Sequence, residues 1–282
     1  MHKIALIDPV GGHGGMDFYD YGLAQGLGAH QVKVWYCSSS QTNVRTYPNV
    51  KTVLCFKKVW DTSNKWLRLF FFLKGYFKAF QVAKKAGVET VHLQFFDLGW
   101  LNVLVMLVLS RFKFQKVLTL HDVSSFKGKN VGFSENFILK RFDKFVVHNR
   151  LSYAELLDKL PKKNPIAIIP HGNYLPFVKE LAYEVHTDRP LKLLFFGQIK
   201  KVKGLDVLLE ALGLAIQENP DIRLVIAGKP WHDELSYYKE LIAVLDLTEV
   251  VTTHFEYIPN EAVASYFEAC DAVILPLSLI HI

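Results

Sequence analysis

Cysteine is scarce in this sequence, and the few cysteines present are not paired by spacing. Cys37, Cys55 and Cys270 form an odd set without a CxxC arrangement, and each lies in or beside an apolar run. A free thiol in such a run behaves as a small hydrophobic side chain. The pattern gives no disulfide framework and fits a reducing, cytoplasmic compartment.

Long hydrophobic runs are also absent. The longest apolar stretch, residues 98–109, contains Asn102 and is well short of the ~20 residues that a membrane-spanning helix needs. Met1 leads straight into the strand-like residues 4–7, without a separate apolar region and cleavage site. We therefore expect neither a transmembrane helix nor a secretion signal.

The composition is that of a folded chain with an uneven charge distribution. Half of the 282 residues are apolar and 21% are charged, which excludes a disordered protein and favours roughly two domains. Residues 1–175 hold 24 basic and 11 acidic side chains, a net +13, whereas the rest of the chain holds 9 and 16, a net −7. The positive charge of the first half favours an anionic partner, unless these charged side chains are simply solvated at the surface.

Apolar runs of strand length alternate with stretches of helical periodicity along the whole chain. This alternation predicts an α/β fold with two successive Rossmann-like parallel-sheet domains, at residues 1–175 and 191–282, joined by a linker at 176–190. The predicted strands are 3–7, 32–36, 52–56, 88–93, 116–120, 144–147 and 166–169, then 192–196, 223–227, 250–255 and 272–275. Parallel α/β domains bind ligands at the carboxyl ends of their strands, so a cleft between the two is the expected site.

A glycine-rich turn follows the first predicted strand. Gly11, Gly12, Gly14 and Gly15 surround one histidine just before a helix, where the backbone can approach a phosphate or sugar closely. The turn does not match the GxGxxG dinucleotide pattern, because the position three residues after Gly14 is Asp17. The alternative is a tight strand-to-helix turn that needs glycine only for its dihedral angles.

Four histidines stand at the ends of predicted strands in the first half. His92, His121, His148 and His171 are separated by long, irregular intervals that give no metal-ligand motif, so we expect no metal site. Most of them are interpreted as hydrogen-bonded structural residues. His121 is the best functional candidate.

A second glycine-containing loop, residues 197–204, follows the first strand of the second half. Lys203 stands next to Gly204 at the start of a helix, where the lysine charge and the positive end of the helix dipole both favour binding of a pyrophosphate. Lys200 and Lys201 lie in the same loop, and a solvated charge run is the alternative interpretation for these two.

Six segments spread over almost the whole chain carry a resemblance to a known family: VLTLHDV, VVHNRLSYAELL, IAIIPHGNY, LKLLFFGQIKKVKGLDVLLEAL, RLVIAGKPW and EYIPNEAVASYFEACDAVILPL. Together they resemble the glycosyltransferase family 4 group (glycosyl transferase group 1) of retaining GT-B enzymes. This resemblance implies acceptor recognition mainly in the first domain and nucleotide-sugar binding in the second.

The resemblance also implies roles for individual residues. Gly14 and Gly15 would lie beside the donor phosphates, His121 would contact the transferred sugar, and Lys203 would bind the diphosphate. Gln198, Lys200 and Gly204 belong to the same donor-binding loop. The family often has arginine directly after its first loop glycine, where this chain has Gln198, and Lys200 is a candidate substitute for that charge.

The family also places a Glu-x7-Glu motif shortly after the strand that resembles 272–276, and this chain ends at Ile282 before that point. Glu210 and Glu218 have the same spacing but lie on an earlier helix, where a solvent-facing pair is expected. We therefore expect the second domain to be incomplete and this chain to be inactive by itself.

The predicted function is sugar transfer, with retention, from a nucleoside diphosphate sugar to the hydroxyl of a glycan or lipid-linked acceptor, without metal or other cofactor. The alternative is a truncated, non-catalytic nucleotide-sugar-binding fold. A nucleic-acid-binding protein is a weaker rival, because the basic charge comes without a recognised binding motif.

The segment 56–85 predicts a contact with membrane. It contains eight basic residues and one acidic residue, Asp61, interleaved with aromatic side chains, as in an interfacial helix. The alternative is an ordinary helix that buries its aromatic residues in the core. The first interpretation predicts a cytoplasmic protein attached peripherally to the inner face of an anionic membrane.

Overall fold

The computed structural model describes residues 1–12, 15–123, 132–160, 163–173, 177, 189–231 and 235–276. The chain divides into two compact units, Met1–Val178 and Lys179–Ile282. The predicted linker, 176–190, lies outside the described residues except for Phe177, Arg189 and Pro190.

The first unit is built on a parallel sheet of seven strands. These are β1 (Lys3–Ile7), β2 (Lys33–Ser39), β3 (Val50–Phe56), β4 (Thr90–Phe95), β5 (Gln115–Leu120), β6 (Lys144–Val147) and β7 (Ile166–Ile168). Their order is β3-β2-β1-β4-β5-β6-β7. The order reverses between β1 and β4, and in sheets of this kind ligands bind beyond the carboxyl ends of the strands at that switch point.

Five described helices accompany this sheet: α1 (Met16–Ala29), α2 (Lys65–Lys85), α3 (Trp100–Leu109), α4 (Gly132–Leu139) and α5 (Arg150–Lys159). The longest, α2, begins at a side-chain cap, because Asn64 Oδ1 accepts hydrogen bonds from the backbone N–H groups of Trp66 and Leu67. It approaches β3 closely through Gly75, where a Cβ would overlap the ring of Phe56. This contact anchors α2 against the core.

The second unit has a parallel sheet with four strands, β8 (Leu191–Phe196), β9 (Ile222–Ala227), β10 (Val251–His254) and β11 (Ala272–Val273), in the order β10-β9-β8-β11. Its described helices are α6 (Leu205–Glu218), α7 (Leu235–Val244) and α8 (Asn260–Glu268). The start of β8 is fixed by Asp271, which accepts two hydrogen bonds from the Arg189 guanidinium at 3.0 and 2.8 Å. The switch point of this sheet lies between β8 and β11.

The predicted fold class is confirmed, with two parallel sheets covered by helices. Every predicted strand is present; β1 and β6 have the predicted ends, and the ends of the other strands are displaced by up to three residues. The largest displacement is at β2, which continues to Ser39 rather than residue 36, whereas β4 is shifted by two residues at both ends and β11 ends at Val273 rather than residue 275. Among the described residues, no helix is long and apolar enough to cross a membrane.

Candidate functional site

The glycine turn after β1 is held by a buried carboxylate. Asp8 Oδ1 and Oδ2 accept hydrogen bonds from the backbone N–H groups of Val10 and Gly11, each at 3.1 Å. Gly11 and Gly15 have φ of +60° and +79°, and Gly15 is the N-cap of α1 without a side-chain cap. The other predicted donor-binding glycine of this turn, Gly14, lies outside the described residues.

A cluster of three buried aspartates lies beneath this turn. The Tyr36 hydroxyl donates to Asp20 at 3.0 Å and to Asp17 at 3.3 Å, and Asp8 and Asp20 are fully buried. Burial, reinforced by the neighbouring Asp8 charge, raises the pKa of Asp20 well above its ordinary value. The sequence interpretation did not single out these acids. The sequence signal was the presence of three acidic residues near a glycine turn, and that pattern does not distinguish buried acids that support the turn from acids on the surface.

An apolar cavity of about 470 Å³ opens at the switch point of the first sheet. Pro9 and Val10 after β1, and Phe95 and Phe96 at the end of β4, form part of its wall. Its other lining residues come mainly from α2 and α3 and from the segments before them: Val59, Trp60, Lys65, Arg68, Leu69, Phe72, Tyr76, Gln94, Asp97, Leu101 and Asn102. The sequence did not predict this cavity, because its wall is assembled from five separate segments.

His121 follows β5 at the carboxyl edge of the same sheet. Its Nε2 is hydrogen-bonded to Gln94 Oε1 at 2.9 Å, and its ring is stacked on Phe96 with centroids 4.6 Å apart. Burial, together with the charges of His148 and His171, lowers the pKa of His121 to about 3. The imidazole is therefore neutral at pH 7, when it can both donate and accept a hydrogen bond.

The fold brings His121, His148 and His171 together at this edge. One ring nitrogen of each lies within 4.8 Å of the corresponding nitrogen of the other two. His92 is separate from this group, because its Nε2 is hydrogen-bonded to Thr119 at 2.7 Å inside the sheet. Of the four histidines at predicted strand ends, three thus lie together and the fourth, His92, is hydrogen-bonded inside the sheet.

The loop between β8 and α6 gathers the predicted donor-binding residues of the second unit. Lys203 ends one turn of 3-10 helix, Lys201–Lys203, and its Nζ lies 3.0 Å from the position that a Cβ on Gly197 would take. Burial, together with the charge of Lys200, lowers the pKa of Lys203 below its ordinary value. Two ammonium groups that repel each other in a half-buried loop form a site that an anion would stabilise.

The other residues of this loop differ in their surroundings. Lys200 Nζ lies 4.3 Å from the centroid of the Trp231 ring, a cation–π contact that holds the ammonium in place. Gln198 and Lys201 are exposed, and no described contact fixes the Gln198 side chain. Lys200 and Lys203 are thus partly buried, whereas Lys201 is solvated.

Two glycines allow this loop to fold so tightly. Gly204 has φ +66° and is the N-cap of α6, and a Cβ there would overlap the carbonyl oxygen of Pro276 after β11. Gly228 has φ +151°, and a Cβ there would overlap the carbonyl oxygen of Gly197. Gly204 therefore places the start of α6 at the switch point of the second sheet. Glu210 and Glu218 are exposed on α6, as expected of a solvent-facing pair.

Comparison with known proteins points to one family. Residues 179–279 match the family model for glycosyl transferases group 1. The chain is 35% identical over 86 residues to D-inositol 3-phosphate glycosyltransferase of Pseudarthrobacter chlorophenolicus, a match over 30% of this chain and 20% of that protein. It is 25% identical over 166 residues to GDP-mannose:glycolipid 4-beta-D-mannosyltransferase of Xanthomonas campestris, over 58% of this chain and 44% of that protein. The chain thus spans less than half of each of these curated relatives.

Solved structures share the fold. Sucrose-phosphate synthase of Thermosynechococcus elongatus superposes with a TM-score of 0.70 and 22% identity, over 99% of this chain and 78% of that one. The Anabaena protein HepE in complex with UDP and glucose superposes with a TM-score of 0.63 and 17% identity, over 97% and 73%. Residues 179–279 are thus a glycosyl transferases group 1 region, and the chain that carries them has the fold of GT-B glycosyltransferases.

Proposed function

We propose that this protein transfers a sugar from a nucleoside diphosphate sugar to an acceptor hydroxyl. The observation that carries the proposal is the pair Lys200 and Lys203 at the switch point of the second sheet, inside the region that matches glycosyl transferases group 1. A diphosphate placed there would meet two ammonium groups and the uncapped N-terminus of α6. The HepE structure, whose fold this chain shares, was solved with UDP and glucose.

The chemistry needs stabilisation of the negative charge that develops on the leaving diphosphate. Groups that are already in place stabilise such a charge most, because they need no reorganisation during the reaction. Lys203 and the start of α6 would supply this stabilisation, and Lys200 would supply the positive charge that Gln198 does not. We propose no metal ion for this step, since the two lysines provide its cationic groups.

His121 is the proposed contact for the transferred sugar. Its neutral imidazole can bind a sugar hydroxyl without placing a charge near the reacting carbon. We assign no separate catalytic base, and we propose that the reaction retains the anomeric configuration, with the leaving phosphate accepting the acceptor proton. The name of the Xanthomonas relative specifies a β-mannosyl product, so the anomer made by this protein has to be measured directly.

The acceptor is proposed to be lipid-linked. The 470 Å³ cavity of the first unit is lined mostly by apolar side chains, and Lys65 and Arg68 provide cationic groups in its wall. That combination suits an amphiphile with a hydrocarbon part and an anionic group, whereas a free glycan would need a polar lining. The Xanthomonas relative is named for a glycolipid substrate.

The surface beside this cavity supports attachment to an anionic membrane. Apolar side chains are exposed on the neighbouring helices α2, α3 and α4: Trp66, Leu67, Phe70, Phe77, Trp100, Leu104, Leu107 and Phe133. The exposed bases Lys74 and Lys78 also lie on α2. Tyr76 and Phe80 of α2 are buried in the core, as in an ordinary helix, whereas Trp66 is 80% exposed and available to a membrane surface.

Vesicle sedimentation tests the attachment to an anionic membrane. Replacing Lys74 and Lys78 with glutamine should weaken binding to anionic vesicles by about 1 kcal/mol each, or about fivefold each. Trp66→Ser should also weaken binding, whereas Leu214→Ser, at a 69% exposed position on α6, should not. Equal binding by all variants, or no binding by the parent protein at any salt concentration, would contradict the proposal.

The donor is tested by calorimetric titration with UDP, GDP and ADP, followed by NMR of the product from the matching nucleotide sugar and a polyprenyl-phosphate-linked acceptor. Saturable binding of one nucleotide by this chain supports the donor site, and turnover is measured on a version extended beyond Ile282, because this chain is expected to be inactive by itself. Binding without turnover in the extended version would favour the second candidate, a nucleotide-sugar-binding protein without catalysis. Absence of nucleotide binding, together with salt-sensitive retention of RNA or DNA on a filter, would contradict both.

A further inference from the structure

Gln94 lies between the proposed sugar contact and the apolar cavity of the first unit. It belongs to β4, next to the switch point, and is only 2% exposed. Its Oε1 is hydrogen-bonded to His121 Nε2 at 2.9 Å, and the residue also forms part of the wall of the cavity of about 470 Å³. We propose that Gln94 is the positioning residue for the acceptor, and that its side-chain amide donates a hydrogen bond to an oxygen of the acceptor head group.

The amide nitrogen of Gln94 is the observation that carries this proposal. Among the described residues, Gln94 Nε2 is buried without a hydrogen-bond partner, although it has two N–H groups to donate. A buried donor without a partner is unfavourable, because it has lost its hydrogen bonds to water and gained none in the protein. An oxygen of a ligand bound in the cavity would restore one of them.

Other polar side chains of the cavity wall are already engaged by their neighbours. Asn102 Nδ2 donates to the backbone oxygen and to Oδ1 of Asp97, at 2.8 and 3.1 Å. Trp60 Nε1 donates to the Pro9 carbonyl oxygen at 3.0 Å. These bonds hold the wall together, whereas the Gln94 amide nitrogen is available to a ligand.

The hydrogen bond to His121 places this amide beside the sugar site. Gln94 Oε1 only accepts, so His121 Nε2 carries the proton, and His121 Nδ1 remains as the acceptor for a hydroxyl of the transferred sugar. Gln94 would thus fix His121 through its oxygen and the acceptor through its nitrogen. One side chain would hold the two reactants next to each other, which is the arrangement that favours a reaction between them.

The position of Gln94 in the sheet makes it suitable for this role. β4 is an inner strand between β1 and β5, and Gln94 is paired in register with Thr119 of β5. The next residue, Phe95, accepts a hydrogen bond from the backbone N–H of His121 at 3.0 Å. Residues on such strands are placed more precisely than residues on loops. Gln94 and His121 are therefore fixed relative to each other before a ligand binds.

This inference rests on the proposed lipid-linked acceptor and adds its orientation. The hydrocarbon part would contact the apolar wall, and an oxygen of the head group would face Gln94. A hydroxyl oxygen and a phosphate oxygen can both accept a hydrogen bond from an amide, so the test uses a probe for each.

NMR of the ¹⁵N-labelled chain tests the contact directly. The probes are octyl β-glucoside and octyl phosphate, both below their micelle concentrations, and cyclohexane. The side-chain NH₂ signals of Gln94 are identified by their loss in Gln94→Glu. We expect them to move downfield with octyl β-glucoside if a hydroxyl is bound, or with octyl phosphate if a phosphate is bound. Cyclohexane has no oxygen and should leave them unshifted.

Calorimetric titration of variants gives a second readout. Gln94→Glu keeps an oxygen for His121 but removes the amide donor, and Gln94→Met removes the donor without adding charge. Each should raise the Kd of the probe that shifts the signals roughly three- to tenfold, as expected for the loss of one hydrogen bond. The matched control is Gln81→Glu, the same change at an exposed position of α2, which should bind the probe like the parent.

The proposal would be overturned if neither oxygen-bearing probe shifted the Gln94 NH₂ signals of the parent protein, or if cyclohexane shifted them equally. Equal weakening by Gln81→Glu and both Gln94 variants would also overturn it. None of the probes contains a nucleotide, so this result is separable from the donor titration. Nucleotide binding without a Gln94 response would reject the acceptor contact alone, whereas a Gln94 response without nucleotide binding would reject the donor site alone.

Discussion

Removal of the Lys203 ammonium should weaken nucleoside diphosphate binding more than removal of any neighbouring charge. Lys203 Nζ lies above Gly197, and among the described residues it has no ion pair. Its pKa is lowered by burial and by Lys200, which means that the charged form is destabilised in the empty loop. An anion would reverse that effect, so Lys203 is available to a ligand rather than committed to the fold.

The magnitude follows from the kind of contact. A hydrogen bond to a charged group contributes about 1.5–3 kcal/mol, so Lys203→Ala should raise the Kd for the diphosphate roughly 10- to 100-fold. Lys200→Ala should raise it less, because the Trp231 ring already stabilises the Lys200 ammonium. The pH dependence has the same origin: affinity should fall as pH rises through the lowered pKa of Lys203, earlier than for an ordinary lysine.

Lys201→Ala is the matched control, since it removes the same charge from an exposed position in the same turn. The assay is calorimetric titration with the nucleoside diphosphate at two salt concentrations, with a thermal melt of each variant to check folding. An unchanged Kd for Lys203→Ala, or equal losses for Lys201→Ala and Lys203→Ala, would refute the phosphate assignment. In the second case a general charge effect, screened by salt, would explain the binding.

Three further predictions concern two glycines of the second unit, and Asp20 and His121 of the first unit. Gly228→Ala should destabilise the second unit by about 2 kcal/mol or more in urea denaturation, because its positive φ is strained for alanine and its Cβ would meet Gly197. Gly213→Ala, in the open interior of α6, should instead stabilise it by up to about 1 kcal/mol, and equal signs would contradict the packing argument. Asp20→Asn should raise the free energy of unfolding at pH 7. Because the pKa of Asp20 is raised in the native state, that state holds more protons than the unfolded state, and stability falls by up to about 1.4 kcal/mol per pH unit as pH rises above about 4. Asparagine does not titrate and should remove that slope. A parallel pH–stability curve for the variant would show that Asp20 does not titrate in this way. His121→Ala should reduce sugar transfer while leaving the Kd for the nucleoside diphosphate unchanged; a loss confined to nucleotide binding would move His121 out of the sugar site.

Local patterns were enough to predict the elements of both units. Buried parallel strands appear in the sequence as continuous apolar runs, and amphipathic helices appear as a 3.6-residue period, so β1 and α6 are recognisable without their neighbours. The sequence signal for the loop at residues 197–204 was also local, because glycine and lysine at a strand-to-helix junction predict an anion site from only eight residues. These features depend only on neighbours along the chain.

The contacts that decide the chemistry of each site depend on segments far apart in sequence. The intervals between His121, His148 and His171 gave no ligand motif, and they meet only because β5, β6 and β7 are adjacent in the sheet with their carboxyl ends at one edge. The burial of Asp20 and the cavity beside Trp60 have the same cause, since desolvation and enclosure come from surrounding segments rather than from the residue itself. The sequence by itself therefore determined the order of strands and helices and the position of the glycine- and lysine-containing loop 197–204 between β8 and α6, through local periodicity and backbone requirements. Only the tertiary structure decided which polar groups are buried, which histidines meet and which aromatic residues remain exposed, because those properties are set by packing between distant parts of the chain.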